Sequence, residues 1–302
     1  MRKVGMWVYK NSGGEAIRDK IVEKLRERDI YSYMNLDLRS SFGTPSGIYC
    51  NDLNMYDLDL FFSYNAGEQT IYQVYMYEML DQVIRTVNSF ESFKLSEDKF
   101  KTNQLLNKAG IATPEFFLCN KNETTKLKEL ISTWNTKFVY KPVDGWGGIG
   151  MVLIEDMASF NTVLSFLNQT DIKYFYLEKF INYDKTDYRI DIVDGKYVSC
   201  YGRKAKAGNW KTNITSGGHV FLREPDDKII QVAKDATRAL KMDIAGVDII
   251  YDRDREEYVV LEVNGIPAFA TPEQEKMGLK FNNKKIDLIV DMIDRITKEK
   301  AQ

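Results

Sequence analysis

Lys141 opens the stretch KPVDGWGGIG, in which Gly145, Gly147 and Gly150 spell G-x-G-x-x-G with Gly148 inside it. A lysine beside a run of glycines suits phosphate: the ammonium is a flexible point charge, and glycine lets backbone N–H groups approach closely. Three geometries share such a string, and the flanking residues separate them. A dinucleotide fingerprint sets its glycines between a strand and a helix, but MVLIED follows here, apolar and β-branched like a strand. A Walker-type loop ends in Gly-Lys-Ser/Thr, whereas Gly150 precedes Met151. The kinase glycine-rich loop does lie between antiparallel strands, yet no downstream VAIK-type lysine, HRD or DFG accompanies it. The stretch therefore reads as a hairpin flap over phosphates with its lysine upstream, a plain flexible hairpin being the simple alternative.

A second constellation lies in AGVDIIYDRDREEYVVLEVNG, where Asp248 sits on one strand and Glu262 and Asn264 on its neighbour. Side chains two apart on a strand share a face, so Glu262 and Asn264 project together while Val263 goes to the core. With Asp248 opposite, three oxygen donors could converge, a set that suits Mg²⁺ bridging nucleotide phosphates. A solvated acidic strand pair is the simple alternative. Against it, Glu262 interrupts an apolar strand, where a carboxylate is costly unless paired or liganding.

The elements that position these residues follow from hydrophobic period. Lys3 to Tyr9 reads as a buried strand, Glu15 to Arg28 as a helix, Tyr31 to Leu36 and Leu58 to Tyr64 as strands, and Gln69 to Leu80 as a helix. The first ninety residues thus form an α/β lobe with a parallel sheet. Asn88-Ser89 is a helix start signal; the following helical run stops at Gly110, and Pro114 opens an extended segment. Strands KFVYKP and GMVLIE, a helix over Met157 to Leu167 and the strand KYFYLEKFI come next. Asp194-Gly195 marks a hairpin, followed by a helix over Asp227 to Leu240, two strands and a terminal helix from about Lys285. The boundaries predicted are 1–88, 89–182 and 183–302.

With 42 Lys plus Arg against 44 Asp plus Glu, the chain has no basic field for nucleic acid. No stretch approaches 18 uncharged apolar residues, which predicts neither a membrane span nor export. Three separated cysteines, Cys50, Cys119 and Cys200, point to the reducing cytoplasm, and the single His219 excludes two-histidine zinc motifs.

These motifs occur in a familiar order: Lys99 before a helix, KPVDGWGGIG, LEKFI, DYRIDIVDGKYV, GRKA, TNITSGG, AGVDII and LEVNGIP. Over about Asn88 to Asp291 the chain resembles the ATP-grasp ligases, most nearly the branch of RimK and the glutamate ligases of methanogen cofactors. The resemblance implies an α+β fold in which two lobes sandwich ATP behind the N-terminal parallel α/β lobe. It implies that Lys99 and Lys141 contact phosphates and that Gly145, Trp146, Gly147, Gly148 and Gly150 form the lid. The Lys179 carbonyl and Ile181 N–H, flanking Phe180, would meet the adenine edge, and Glu178 and Asp187 the ribose or adenine amino group, one of them otherwise capping a turn. Arg189 and Arg203 would clamp the γ-phosphate and acyl phosphate as planar forks, with Asn213 and Gly217-Gly218 near the incoming substrate. Asp248, Glu262 and Asn264 would hold two Mg²⁺ ions, with Mn²⁺ as a substitute.

The implied reaction is attack of a carboxylate on the γ-phosphate of ATP, then capture of the acyl phosphate by an amine such as glutamate. The carboxylate would be a small molecule or a peptide, and a homo-oligomer is compatible with the chain. A phosphotransferase acting on a hydroxyl would share the ATP residues, and a non-catalytic nucleotide-binding protein is the alternative outside enzymes. The chain has Ser216-Gly217-Gly218 where the glutamate ligases commonly carry Arg-Gly-Gly, and Ala268 where glycine is usual, which leaves the amine open. The loops Asn11-Ser12-Gly13-Gly14 and Ser63-Tyr64-Asn65-Ala66-Gly67 lie at strand ends, where open α/β sheets bind ligands, and are candidates for the carboxylate.

Overall fold

The computed structural model describes residues 1–300 except Ser12, residues 66–69 and Trp146. The chain begins with β1 (Arg2–Val8), α1 (Gly14–Arg26) and β2 (Ile30–Tyr33). A small antiparallel patch follows, β3 (Phe42–Thr44), β4 (Gly47–Cys50) and β5 (Leu53–Asn54), then β6 (Leu60–Tyr64), α2 (Ile71–Asp81) and β7 (Arg85–Val87). The order β2-β1-β6-β7 is parallel throughout. Period-2 alternation splits β1 between two cores: Val4, Met6 and Val8 join Ile17, Ile21 and Leu25 of α1, while Trp7 joins Leu36, Leu38 and Phe61. A parallel sheet covered on both faces results.

Next come α3 (Phe90–Ser96), α4 (Lys99–Lys108), β8 (Phe116–Asn120), α5 (Thr124–Ser132), β9 (Phe138–Lys141), β10 (Val152–Ile154), α6 (Met157–Leu167) and β11 (Tyr174–Lys179). Ser89 and Asp98 each accept a backbone N–H at a helix start, and Gly110, at φ 76°, lies just beyond α4. The sheet order is β10-β9-β11-β8, antiparallel, packed on the apolar faces of α5 and α6 through Leu127, Ile131, Phe160 and Leu164.

The remaining elements are β12 (Thr186–Val193), β13 (Lys196–Lys204), β14 (His219–Leu222), α7 (Asp227–Ala239), β15 (Ile244–Asp252), β16 (Glu257–Asn264), α8 (Pro272–Lys276) and α9 (Asn282–Glu299). Asp194 and Gly195, at φ 50° and 68°, make the β12–β13 turn, as an Asp-Gly hairpin requires. The five strands run β14-β13-β12-β15-β16, with Ile229, Ala233 and Ala236 of α7 against the sheet. The last helix, α9, does more than close this unit: Ile286, Ile289, Val290 and Ile293 share one core with β1 and α1 of the first lobe. Among the described residues no helix is long and apolar enough to cross a membrane.

Candidate active site

Pairing of Val152 with Tyr140 and of Ile154 with Phe138 leaves residues 142–151 as a loop between antiparallel strands. Gly145, Gly147, Gly148 and Gly150 all have positive φ, 111°, 67°, 74° and 75°, a region side chains rarely adopt. A Cβ on Gly148 would stand 2.7 Å from Asn213 Oδ1. Three side chains donate hydrogen bonds to the loop's carbonyls: Lys99 Nζ to Gly145 at 2.8 Å, Thr215 Oγ1 to Gly147 at 2.6 Å and Lys211 Nζ to Gly148 at 3.0 Å. Lys99 comes from the start of α4, and the other two from the segment between β13 and β14. Trp146 lies outside the described residues.

Beneath the loop is a narrow cleft of about 100 Å³. Lys99, Lys141, Gly145, Gly147 and Gly148 line it, as do Glu178, Lys179, Phe180, Ile181 and Asp187, and Arg203, Asn213, Asp248 and Glu262. Gly150, Arg189 and Asn264 do not.

The buried charges form two sets. Lys141, at the end of β9, pairs with Glu178 on β11, and the Glu178 carboxylate also accepts from the Tyr176 hydroxyl at 2.9 Å. The second set is built by strand register. Asp187 faces Arg203 across β12–β13, and Arg189 faces Asp248 across β12–β15; Asp187 and Arg189, two apart, share a face. Arg203 holds Asp187 in a fork, both bonds 2.7 Å, and reaches Asp248 at 2.9 Å, while Thr212 donates to Asp187 at 2.5 Å. Arg189 grips Asp248 at 2.5 and 3.0 Å.

Burial opposes ionisation of Asp248, but the two guanidinium charges outweigh it and bring the carboxyl down to about 2. Burial works against the arginine charges as well, yet Asp248 raises both Arg189 and Arg203. In Asp187 burial wins over Arg203 and the carboxyl rises.

Several expectations change here. Arg189, expected on a phosphate, stands behind Asp248 as its counter-ion, because the register aims it there. Neither Glu178 nor Asp187 caps a turn; each is the partner of a buried cation. Asn264 opens instead onto an adjoining cleft, of about 760 Å³, that also reaches Glu262 and Ile266. Asp248 lies directly opposite Glu262, whereas Asn264 lies opposite Gly246. Glu262 Oε1 is 3.4 Å from Lys99 Nζ. Among the described residues no three of His, Cys, Asp and Glu cluster as a metal site. The oxygens of Asp248, Glu262 and Asn264 are of the kind Mg²⁺ takes alongside waters and phosphate oxygens, but both Asp248 oxygens are held by Arg189 and Arg203, so Glu262 is the donor left facing the cleft.

At the far end of the cleft Phe180 meets Tyr183 and Trp210 with ring centroids 5.9 and 6.0 Å apart. Tyr183, Trp210 and Lys211 line the cleft, and Lys211 and Thr215 reach the loop, none of them singled out from the sequence; the polar run GNWKTN between two strands was the available signal for Trp210 and Lys211. A further cleft, of about 600 Å³, lies at the ends of β1 and β2, where Trp7, Tyr9, Asn11 and Arg39 face Ile266, Ala268 and Phe269. Asn65 lines it too; Ser12, Ala66 and Gly67 lie outside the described residues.

A family model, the RimK-like ATP-grasp domain, matches residues 96–296. The chain belongs to the RimK-like ATP-grasp family. It is 31% identical over 221 residues to the tetrahydromethanopterin:alpha-L-glutamate ligase of Methanocaldococcus jannaschii, covering 70% of this chain and 73% of that one. It is 24% identical over 189 residues to the glutamate–LysW ligase ArgX of Sulfolobus acidocaldarius, covering 62% and 66%. In fold it is similar to the ATP-grasp ligase PsnB solved with a minimal precursor, with TM-score 0.69, 14% identity and 97% and 99% coverage. It is likewise similar to D-alanine–D-alanine ligase from Bacillus anthracis solved with ATP, with TM-score 0.66, 19% identity and 99% of each chain covered. This ATP-grasp protein is an ATP-dependent ligase of the carboxylate–amine class, and Mg²⁺ is typical of its family.

Proposed function

We propose that the protein activates a carboxylate as its acyl phosphate beneath the 142–151 lid and transfers the acyl group to an amine, an amino acid such as glutamate being the leading choice. The observation that carries this reading is the convergence of Lys141, Arg203, Asp248 and Glu262 under a glycine loop tied down from both sides. Residues 1–88 present the carboxylate at the first-lobe cleft, residues 89–182 carry the lid, and residues 183–302 carry the arginines and metal ligands. Adenine lies against Lys179 to Ile181 with Phe180 beside Tyr183 and Trp210, and the phosphates reach toward Lys99 and Lys141.

A carboxylate oxygen attacks the γ-phosphorus, the bond to the bridging oxygen breaks and ADP leaves. The amine nitrogen then attacks the acyl carbon, phosphate departs, and the amine loses its proton to solvent. Lys99, Lys141 and Arg203 set charge around the transferring group, and Arg189 keeps Asp248 in place; positioning and electrostatics dominate such transfers. Asp248, Glu262 and Asn264 would hold Mg²⁺, two ions or Mn²⁺ in their stead, which supplies charge neutralisation at the phosphate oxygens. The lid excludes water from the acyl phosphate. The free Cys50, Cys119 and Cys200 support a cytoplasmic setting.

Phosphate release from ATP, measured across a panel of carboxylic acids and amino acids with hydroxylamine present, tests the reading. The expected result is a hydroxamate with each active acid. Phosphate release without any hydroxamate would assign the site to hydroxyl phosphorylation instead.

A further inference from the structure

Lys285 on α9 has no exposed surface, although lysine is seldom fully buried unless paired. All three of its donors are used: Nζ lies 3.0 Å from Asp191 Oδ2, 2.6 Å from the Pro267 carbonyl and 3.1 Å from the Ala268 carbonyl. Phe269, Tyr64 and Phe281 surround the ammonium, the Phe269 ring centre being 4.7 Å away. Asp191 is equally buried, and the Tyr64 hydroxyl donates to the same Pro267 carbonyl.

Those carbonyls belong to residues 265–270, which leave β16 directly after Asn264 and line the first-lobe cleft through Ile266, Ala268 and Phe269. The other side of this segment meets the charge network: a Cβ on Gly246 would stand 2.6 Å from Pro267 Cβ and 3.1 Å from Arg189 Nη1. The segment is thus wedged between the Arg189–Asp248 pair and the cleft, with a buried ammonium behind it.

We propose that Lys285 is a positioning residue for the non-nucleotide substrate: anchored on Asp191, it fixes the 265–270 wall of the first-lobe cleft. An apolar side chain there would leave two carbonyls without their charged donor and a carboxylate without its counter-ion, so the wall would shift. The nucleotide cleft is built from other residues, and ATP binding is independent of Lys285. The proposal rests on the ligase reading for the nature of the substrate, though not for the anchor itself.

The test is Lys285→Met in the full chain, read by hydrogen exchange and by steady-state phosphate release. Amides of residues 265–271 are expected to exchange at least tenfold faster than in the unchanged protein, with the lid strands unaltered. The KM for whichever carboxylic acid supports phosphate release should rise at least tenfold while the KM for ATP stays within twofold. Unaltered exchange, or an equal rise in both KM values, overturns the proposal. Where the lone Asp191 charge prevents folding, Asp191→Leu with Lys285→Met removes both charges and Tyr64→Phe removes one donor from Pro267. Both should show the same split, weaker in Tyr64→Phe, and unchanged behaviour in both overturns the proposal. If no carboxylic acid supports phosphate release, the ligase reading falls while hydrogen exchange still decides the anchor.

Discussion

Lys141 and Glu178 are each other's counter-ions in a setting where neither side chain is more than 8% exposed. Removing one strands the other, a situation that costs about 3–5 kcal/mol in buried pairs. Lys141→Met should therefore lower unfolding free energy by about that amount in urea titrations and also remove ATP-dependent phosphate release. A loss of turnover with no loss of stability would mean the pair is not closed in solution. Glu262 differs, being partly exposed and only 3.4 Å from one lysine. For Glu262→Ala we expect stability within about 1 kcal/mol of the unchanged protein, while the Mg²⁺ dependence of ATP affinity, followed by calorimetry, disappears. Residue types at this scale were legible: a carboxylate inside an apolar strand and a lysine before glycines stand out from their neighbours. Their partners were not, since Arg189 and Asp248 are 59 residues apart and meet only through the β12–β15 register.

Among the elements, the lid hairpin makes the sharpest prediction, because its glycines differ in what surrounds them. A Cβ on Gly148 would meet Asn213 Oδ1 at 2.7 Å, whereas one on Gly145 meets only Pro142 at 4.0 Å. Both positions have positive φ, so alanine strains the backbone at each by about 1 kcal/mol, and Gly148→Ala adds a steric clash with Asn213. The KM for ATP should rise about tenfold in Gly148→Ala and clearly less in Gly145→Ala. Equal effects would show that backbone strain alone matters.

The long elements followed their hydrophobic period: Met157–Leu167 is a helix, and β15 and β16 occupy the predicted stretches. The short ones escaped. Strands β3 and β5, of three and two residues, are too brief to show a period, and the run after Asn88-Ser89 proved to be two capped helices rather than one.

At the level of the whole molecule, Asn88 joins the first lobe to the third. Its Nδ2 donates to Ile244 and Gly265 carbonyls, both at 2.9 Å, and its Oδ1 accepts from Asp243 and Ile244 N–H groups, both at 2.8 Å. Asn88→Ala would leave four backbone groups without these partners, and each unsatisfied group costs about 1–3 kcal/mol. With water replacing some of them, we expect a loss of about 3 kcal/mol in chemical denaturation. The helix α9 binds the same two regions through its apolar face, so calorimetry of the Asn88→Ala protein should still show one transition. Two separated transitions would contradict a shared core.

The sequence by itself determined the lid, its lysine, the Asp-Gly hairpin and the carboxylate strands. Each is written locally, in a turn residue, a glycine run or a period of two. Only the tertiary structure decided which charges neutralise one another, that α9 completes the first lobe's core, and that Lys285 sits behind the substrate wall. Those outcomes depend on strand register and helix docking between residues separated along the chain, Arg189 and Asp248 by 59 positions and Asp191 and Lys285 by 94, and no local pattern carries that information.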